Sequence, residues 1–320
     1  MLRRLLLLAV VVGMIAGLFL GWRWWGPGPL AKPATVTIEQ GATLGHAAEI
    51  LIYHGAIGDG TSFYYLGRLL GGGDPIQAGE FEIPARSSAA QILDLLQHGQ
   101  PVQRLITVPE GMPSIMVQER LAALPFASGR APLPEEGAVL PDSYTYERGE
   151  ARAAILKRMT EAMDKAFATY WANRKGDCPV SNRTEVITLA SIVEKETGKP
   201  SERRMVAGVY CNRLKIGMKL DADPTVIYPV TKGKPLGRRI LRSELNNQNG
   251  YNTYRMAGLP VGPIANPGKE SIAAVLNPAS TKALYFVADG TGGHIFAETL
   301  AEHNANVAKW YRLRRQRGQM

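Results

Sequence analysis

Hydrophobic residues fall along this 320-residue chain in several distinct rhythms. From Leu5 to Trp22 there are 18 residues without a charge, long enough for a marginal membrane-spanning helix. After the Gly/Pro-rich segment 26–33, a short linker, Val36 and Ile38 alternate as in a strand. Leu44, Ala47, Ala48 and Leu51 then recur at helical spacing, and Gly55 stops the run. A second helix is predicted over 61–70, followed by a Gly-rich turn and a strand in "AGEFEIP". Ser at the start and Gly at the end mark a helix over 87–99. "VQRLITVPEG" reads as a strand and "PSIMVQERLAAL" as a helix, to about residue 125. The Pro/Gly-rich stretch "PFASGRAPLPEEGAVLPDSY" breaks the pattern, and a domain boundary is expected there. Beyond it, helices are predicted over 150–173, 183–197 and 201–216. A loop-rich segment runs from "MKLDADPTVIYPV" to "NPG". It is followed by a helix over 268–276, strands over 283–288 and 294–297 joined by "DGTGG", and a terminal helix over 299–314. The expected fold class is α+β: an N-terminal transmembrane helix within 1–25, a small α/β region over 34–125, and a mainly helical domain over 140–320 with a C-terminal β-hairpin.

The flanks of the first apolar run sharpen its reading. Arg3 and Arg4 precede it; Trp22, Arg23, Trp24 and Trp25 follow, in the manner of an interfacial aromatic belt with a snorkelling Arg. A cleaved signal peptide is the competing reading. "GPGPLAKPA" offers no clean A-x-A site and the run is long for a signal, which favours an uncleaved anchor. Basic residues ahead of the run place the N-terminus inside and the rest of the chain outside the cytoplasm.

Hydrophobic residues make up 45% of the chain, enough for a sizeable core, and the net charge of +9 suits an anionic partner. Nucleic acid, acidic lipid and an acidic polymer such as peptidoglycan all qualify, but no Lys/Arg stripe with interleaved aromatics is present, so no nucleic-acid partner is expected. Cys178 and Cys211 either pair, in an oxidising compartment, or lie buried as thiols. The five His residues (46, 54, 98, 294, 303) form no HExxH or other zinc spacing, and there is no Walker A loop or GxSxG. "DGTGG" reads as a turn rather than a phosphate loop, and no cofactor or metal is expected.

Candidate chemistry concentrates in "ASIVEKETGK", residues 190–199. With Leu189 at 0° on a helical wheel, Ile192 falls at about 300°, Val193 at about 40°, Glu196 at about 340° and Glu194 at about 140°. Glu196 is therefore the carboxylate aimed at an apolar surrounding, where ionisation is costly, and Glu194 is solvated or paired with a cation. Alternatively the helix frays and Glu196 merely closes its last turn. In "LDADPT", Asp223 before Pro224 reads as a helix N-cap with Pro at the first helical position, while Asp221 reads as a solvated loop residue or a second carboxylate.

Three blocks in order carry a resemblance: "LASIVEKETGKPSERRMVAGVYCNRLKIGMKLDADPTVIY", "YNTYRMAGLPVGPIANPG" and "LYFVADGTGGHIFAETLAEHN". Together they resemble the endolytic murein transglycosylase (YceG-like) family, densely over 188–304. "G-x-T-L" (41–44) before an apolar helix resembles a LysM carbohydrate-binding module; a small packing domain that binds nothing fits that segment equally. The family resemblance implies a single-pass protein of the cell inner membrane with a periplasmic C-terminal catalytic domain. It implies cleavage of the MurNAc-β-1,4-GlcNAc bond with formation of 1,6-anhydro ends. It makes Glu196, the second Glu of "EKET", the catalytic residue, and aligns Asp223 with the family's "DPT" Asp, although "LDADPT" departs from the more usual "L-Q-S/T-D-P-T". Tyr251, Asn252 and Tyr254 of "YNTY", Asp223, and His294 are implied as substrate-binding candidates. Glycan strands and cell-wall synthesis proteins are the implied partners. Two rivals stand: a non-catalytic glycan-binding scaffold of the cell wall, and a muramidase that uses Asp221 or Asp223 as second carboxylate.

Overall fold

The computed structural model describes residues 2–318 and contains both helix and sheet. These residues divide into two compact units: the chain up to Arg104 together with Thr145–Glu150, and Leu105–Tyr144 together with everything from Ala151 onward.

The first unit begins with α1 (Leu2–Trp25), whose segment Arg3–Trp25 is long and apolar enough to cross a membrane. Next come β1 (Ala34–Ile38), α2 (Leu44–Tyr53), α3 (Gly60–Leu70), β2 (Gly79–Ile83) and α4 (Ala89–His98). β1 and β2 pair antiparallel, Val36 opposite Phe81, so the alternation read from Val36 and Ile38 becomes the inward face of a two-stranded sheet. Leu51, Phe63, Ile92 and Leu96 pack beneath it. Helix starts follow their caps: Asp59 accepts from the amides of Thr61 and Ser62, and Ser88 forms a capping box with Gln91.

The expected aromatic belt is corrected in one respect. Trp22 and Trp25 are each 65% exposed, but Trp24 is 3% exposed and sits in the core with its ring 6.2 Å from that of Phe63. Successive helical residues point about 100° apart, so the three cannot share one face. Arg23 pairs with Asp59 at 3.3 Å. The expected linker after α1 is strapped down as well: Gly28 N–H donates to the Arg86 carbonyl (3.1 Å) and Arg86 N–H to that of Leu30 (2.9 Å). A Cβ at Gly28 would run into the Ser87 carbonyl, so only glycine permits this approach.

Next in chain order are β3 (Arg104–Thr107), α5 (Ser114–Ala122) and β4 (Ser143–Tyr146), and β3 pairs with β4. The second unit continues with α6 (Arg152–Ala172), α7 (Arg183–Glu196), a short 3-10 turn at Pro200–Glu202, α8 (Arg203–Lys215), α9 (Asp223–Thr231), α10 (Arg242–Asn246), α11 (Lys269–Leu276), β5 (Tyr285–Ala288), β6 (His294–Ala297) and α12 (Leu300–Gln316). α7 is the central helix; its residues Val186 to Val193 are all buried, packed by α8, α9 and α11. β5 and β6 form an antiparallel hairpin with Phe286 opposite Phe296, turned by Asp289, which accepts from the amides of Thr291 and Gly293. This is the turn expected of "DGTGG". Cys178 and Cys211 are joined by a disulfide, Cα atoms 5.0 Å apart, which ties the segment before α7 to α8.

The segment expected to be loop-rich contains two helices. The start of α9 is the one expected from Asp223-Pro224, although its β-branched run and Pro229 hide its length; α10, at five residues, is too short to show a period.

Candidate active site

Glu196 is the last residue of α7 and half-buried. It stands on a cleft of about 470 Å³ with Tyr210 and Arg213 from α8, Asp221 and Asp223 at the start of α9, Tyr254, and Phe286 of the hairpin. It also borders a second hollow of about 390 Å³, walled by the glycines of the β5–β6 turn, His294 and Trp310. Glu196 thus lines two separate hollows.

The electrostatics of Glu196 are set chiefly by burial, which pushes its carboxyl up to about 7; the Tyr210 hydroxyl and the Arg213 guanidinium pull down, and the Asp223 charge pushes further up. Burial and the neighbouring Glu196 likewise raise the Tyr210 phenol far above its ordinary range. Arg213 is held in place by backbone carbonyls: its Nε donates to Leu284 (2.6 Å) and its Nη1 to Lys219 (3.1 Å) and Leu220 (3.0 Å). It reaches Asp221 at 3.5 Å.

Glu194 has a different fate. Its side chain is only 5% exposed, paired with Arg203 at 3.2 Å and accepting the Gly268 amide at 2.9 Å. Arg203 also pairs with Glu110 at 2.7 Å. The expectation of a cationic partner holds, but the solvated alternative does not, because Arg203 and the Gly268 amide cover the side of α7 that Glu194 faces.

Asp223 is corrected too. The cap position of α9 belongs to Ala222, with Asp223 first in the helix and Pro224 second, and no side-chain cap bond forms. Instead the Asp223 carboxylate accepts the Tyr254 hydroxyl at 2.7 Å on the cleft wall. The two segments are locked together beneath that bond: Thr253 Oγ1 lies 2.8 Å from Thr225 Oγ1 and accepts the Ala222 amide at 3.0 Å. Asp221 adopts a left-handed backbone (φ 48°), and burial raises its carboxyl above the ordinary value.

Of the remaining candidates, Tyr254 lines the cleft and His294 the second hollow. His294 Nδ1 meets Glu202 at 2.9 Å, and its backbone amide donates to the same carboxylate. Asn252 is not brought to the cleft. It is fully buried, its amide donating to the carbonyls of Glu244, Leu245 and Asn247 at the end of α10 and accepting the Tyr254 amide at 3.0 Å. Tyr251 packs its ring against Tyr228 at 4.8 Å, also away from the cleft. The Gly/Pro-rich loop 258–268 is pinned as structure: Ile264 N–H donates to Ser191 Oγ, and Asn266 accepts the Val139 amide while donating to the Met112 carbonyl.

Tyr210, Arg213, Tyr285, Phe286 and His303 were not singled out from sequence. Arg213 had a signal: with Val206 at 0°, Tyr210 falls at about 40° and Arg213 at about 340°, a cation on an apolar helix face, as with Glu196.

Residues 36–309 match the model of the YceG-like family. An endolytic murein transglycosylase of Bacillus subtilis is 36% identical over 181 residues, covering 55% of this chain and 48% of that protein. One from Streptococcus pneumoniae is 27% identical over 327 aligned positions, 87% of this chain and 58% of that protein. The chain thus spans about half the length of the curated relatives it matches. The crystal structure of a yceG-like protein from Listeria monocytogenes shares the fold, with a TM-score of 0.53 at 27% identity, covering 86% of this chain and 99% of that one.

Proposed function

The chain belongs to the YceG-like family, and from that premise we propose that it is a membrane-anchored endolytic transglycosylase of peptidoglycan. One observation carries the chemistry: Glu196, in a cleft, has its carboxyl pushed up to about 7 by burial, so it is a proton donor near neutrality. In this reading the domain over 140–320 is catalytic. The protonated Glu196 donates to the glycosidic oxygen as the bond from muramoyl C1 breaks. The resulting carboxylate removes the proton from the muramoyl 6-hydroxyl, whose oxygen bonds to C1. The ring closes as a 1,6-anhydro sugar, Glu196 regains its proton, and no water is consumed. The Asp223 carboxylate, oriented by Tyr254, offers negative charge to the oxocarbenium-like transition state. The two hollows that Glu196 lines offer room for more than one sugar, which supports cutting within strands rather than only at their ends.

A full-chain digest of peptidoglycan in detergent, read by mass spectrometry, is expected to give fragments lighter by one water than reducing ends. A second reading has a specific observation behind it, since Asp223 shares the cleft. If Asp223 positions water, the enzyme is a muramidase, and product ends will take up heavy oxygen from labelled water. Binding without cleavage would leave the scaffold reading.

The strand–helix–helix–strand order of β1, α2, α3 and β2 supports reading 34–125 as a LysM-like glycan-binding region. Arg3 and Arg4 before α1 support a cytoplasmic N-terminus and a periplasmic remainder, as does the Cys178–Cys211 disulfide, a bond of oxidising compartments. A C-terminal alkaline phosphatase fusion is expected to be active; a silent one, beside an active cytoplasmic reporter at the same site, would reverse the topology.

A further inference from the structure

The first unit holds a recess of about 310 Å³ where α1 ends, at the small end of the ~300–1,000 Å³ range of ligand pockets. Trp22, Trp24, Pro27, Ile57, Phe63 and Leu66 make its walls largely apolar and aromatic. Arg23 and Asp59 also line it. Asp59 spends its carboxylate on Arg23, on the Thr61 and Ser62 amides and on the Ser62 hydroxyl. The planar Arg23 fork offers five N–H donors, of which Asp59 engages Nη1.

The height of this recess follows from helix geometry. A hydrocarbon layer of ~30 Å takes about 20 residues at 1.5 Å each, so a helix that enters after Arg4 leaves the layer near Trp24. Because Trp24 belongs to the core of the unit and the following segment is strapped to Arg86, the recess is held at that boundary rather than swinging on a tether. The α2 end contributes an exposed Tyr53 (86%) and Ile52 (48%), and Trp22 and Trp25 are exposed beside Arg23. Apolar walls with a guanidinium beside them, at the level of glycerol and upper acyl chain, match the amphipathic form of a phospholipid.

We infer that this recess is a phospholipid site, in which Arg23 pairs with the lipid phosphate and the upper part of one acyl chain lies against Trp22, Trp24 and Phe63. The inference rests on reading α1 as a membrane span and is independent of the glycan chemistry. The site would make the lipid a part of the first unit's base.

The test is native mass spectrometry of the full chain in mixed micelles containing phosphatidylglycerol. One phosphatidylglycerol is expected to survive collisional activation that strips the remaining lipid. Ser62→Trp, which fills the recess, and Arg23→Gln, which removes the phosphate partner, should each lower the retained fraction at least fivefold, with melting of the full chain confirming that each variant is folded. Separately, extraction of membranes with alkaline carbonate reports whether α1 is inserted, so a failure of the span reading is told apart from a failure of the site. No retained lipid, retention in the folded variants equal to that of the wild type, or an adduct whose mass is not that of phosphatidylglycerol would overturn the inference.

Discussion

Glu196→Gln should lower the rate of glycan cleavage by about 10²-fold or more, the scale of general acid–base catalysis, because the amide keeps the shape of the side chain and removes its proton. The wild-type pH profile should carry the same signature. With the carboxyl pushed up to about 7, kcat/KM is expected to fall about tenfold per pH unit above that value, as the free enzyme loses its acid. The variant should show no such limb. The substitution should act on stability in the opposite sense to its effect on activity. A folded-state value above the ordinary 4.5 means that wild type is relatively most stable below 4.5 and loses stability as pH rises through about 7. The displacement from 4.5 to about 7 is worth ~3 kcal/mol at most, and a half-buried carboxyl expresses a fraction of it. Glu196→Gln should therefore melt no lower than wild type at pH 8, and the advantage should vanish below pH 4.5. A variant that is inactive and also much less stable at pH 8 would show that Glu196 serves the fold instead.

Arg203→Met should have the largest effect on stability. Arg203 is the cation between Glu194, nearly inaccessible, and the half-exposed Glu110. Removing it leaves the Glu194 carboxylate buried with the Gly268 amide as its remaining bond, and breaking a buried pair from one side costs about 3–5 kcal/mol. At roughly 2–4 °C per kcal/mol for a unit of this size, the second unit should melt at least about 6 °C lower. Glu194→Gln should be milder in both stability and activity: its amide oxygen still takes the Gly268 N–H, and Arg203 keeps Glu110. The double change Arg203→Met with Glu194→Leu should recover much of the loss, because no charge is then stranded. An unchanged melting temperature for Arg203→Met would mean that water, not packing, surrounds this triad.

The contrast between Glu194 and Glu196 marks how far the sequence reaches. Near-neighbour rules sufficed for most of the elements: alternation at Val36 and Ile38, the Ser cap that starts α4 and the Asp289 turn all act within a few residues of themselves. Periodicity also placed Glu196 at the end of an apolar helix, and the three motif blocks pointed to the same residue. The wheel failed for Glu194 because it assumes one buried face, whereas Val186 to Val193 are buried all round and both carboxylates leave α7 into protein. Direction on a wheel does not say what waits there. For Glu194 it is Arg203, from the next helix; for Glu196 it is a cleft with Tyr210, Arg213 and Asp223.

The same limit governs the remaining differences. Asp223 before Pro has every local mark of a cap, yet a tyrosine 31 positions later takes its carboxylate toward the cleft. Asn252 has the chemistry of a sugar ligand, but its donors are consumed by three carbonyls at the end of α10. Trp24 looks like its neighbours in an interfacial belt and is instead part of a core assembled from α3 and α4. Chain order alone determined the long apolar N-terminal helix, most of the later helices, the β5–β6 hairpin and the place of Glu196 at the end of α7, because those depend on period, caps and turns within a few residues. Which carboxylates are paired, which titrate near neutrality and which polar groups are already satisfied was decided only by the tertiary structure, because desolvation and Coulomb interactions depend on distance in space and not on separation in sequence.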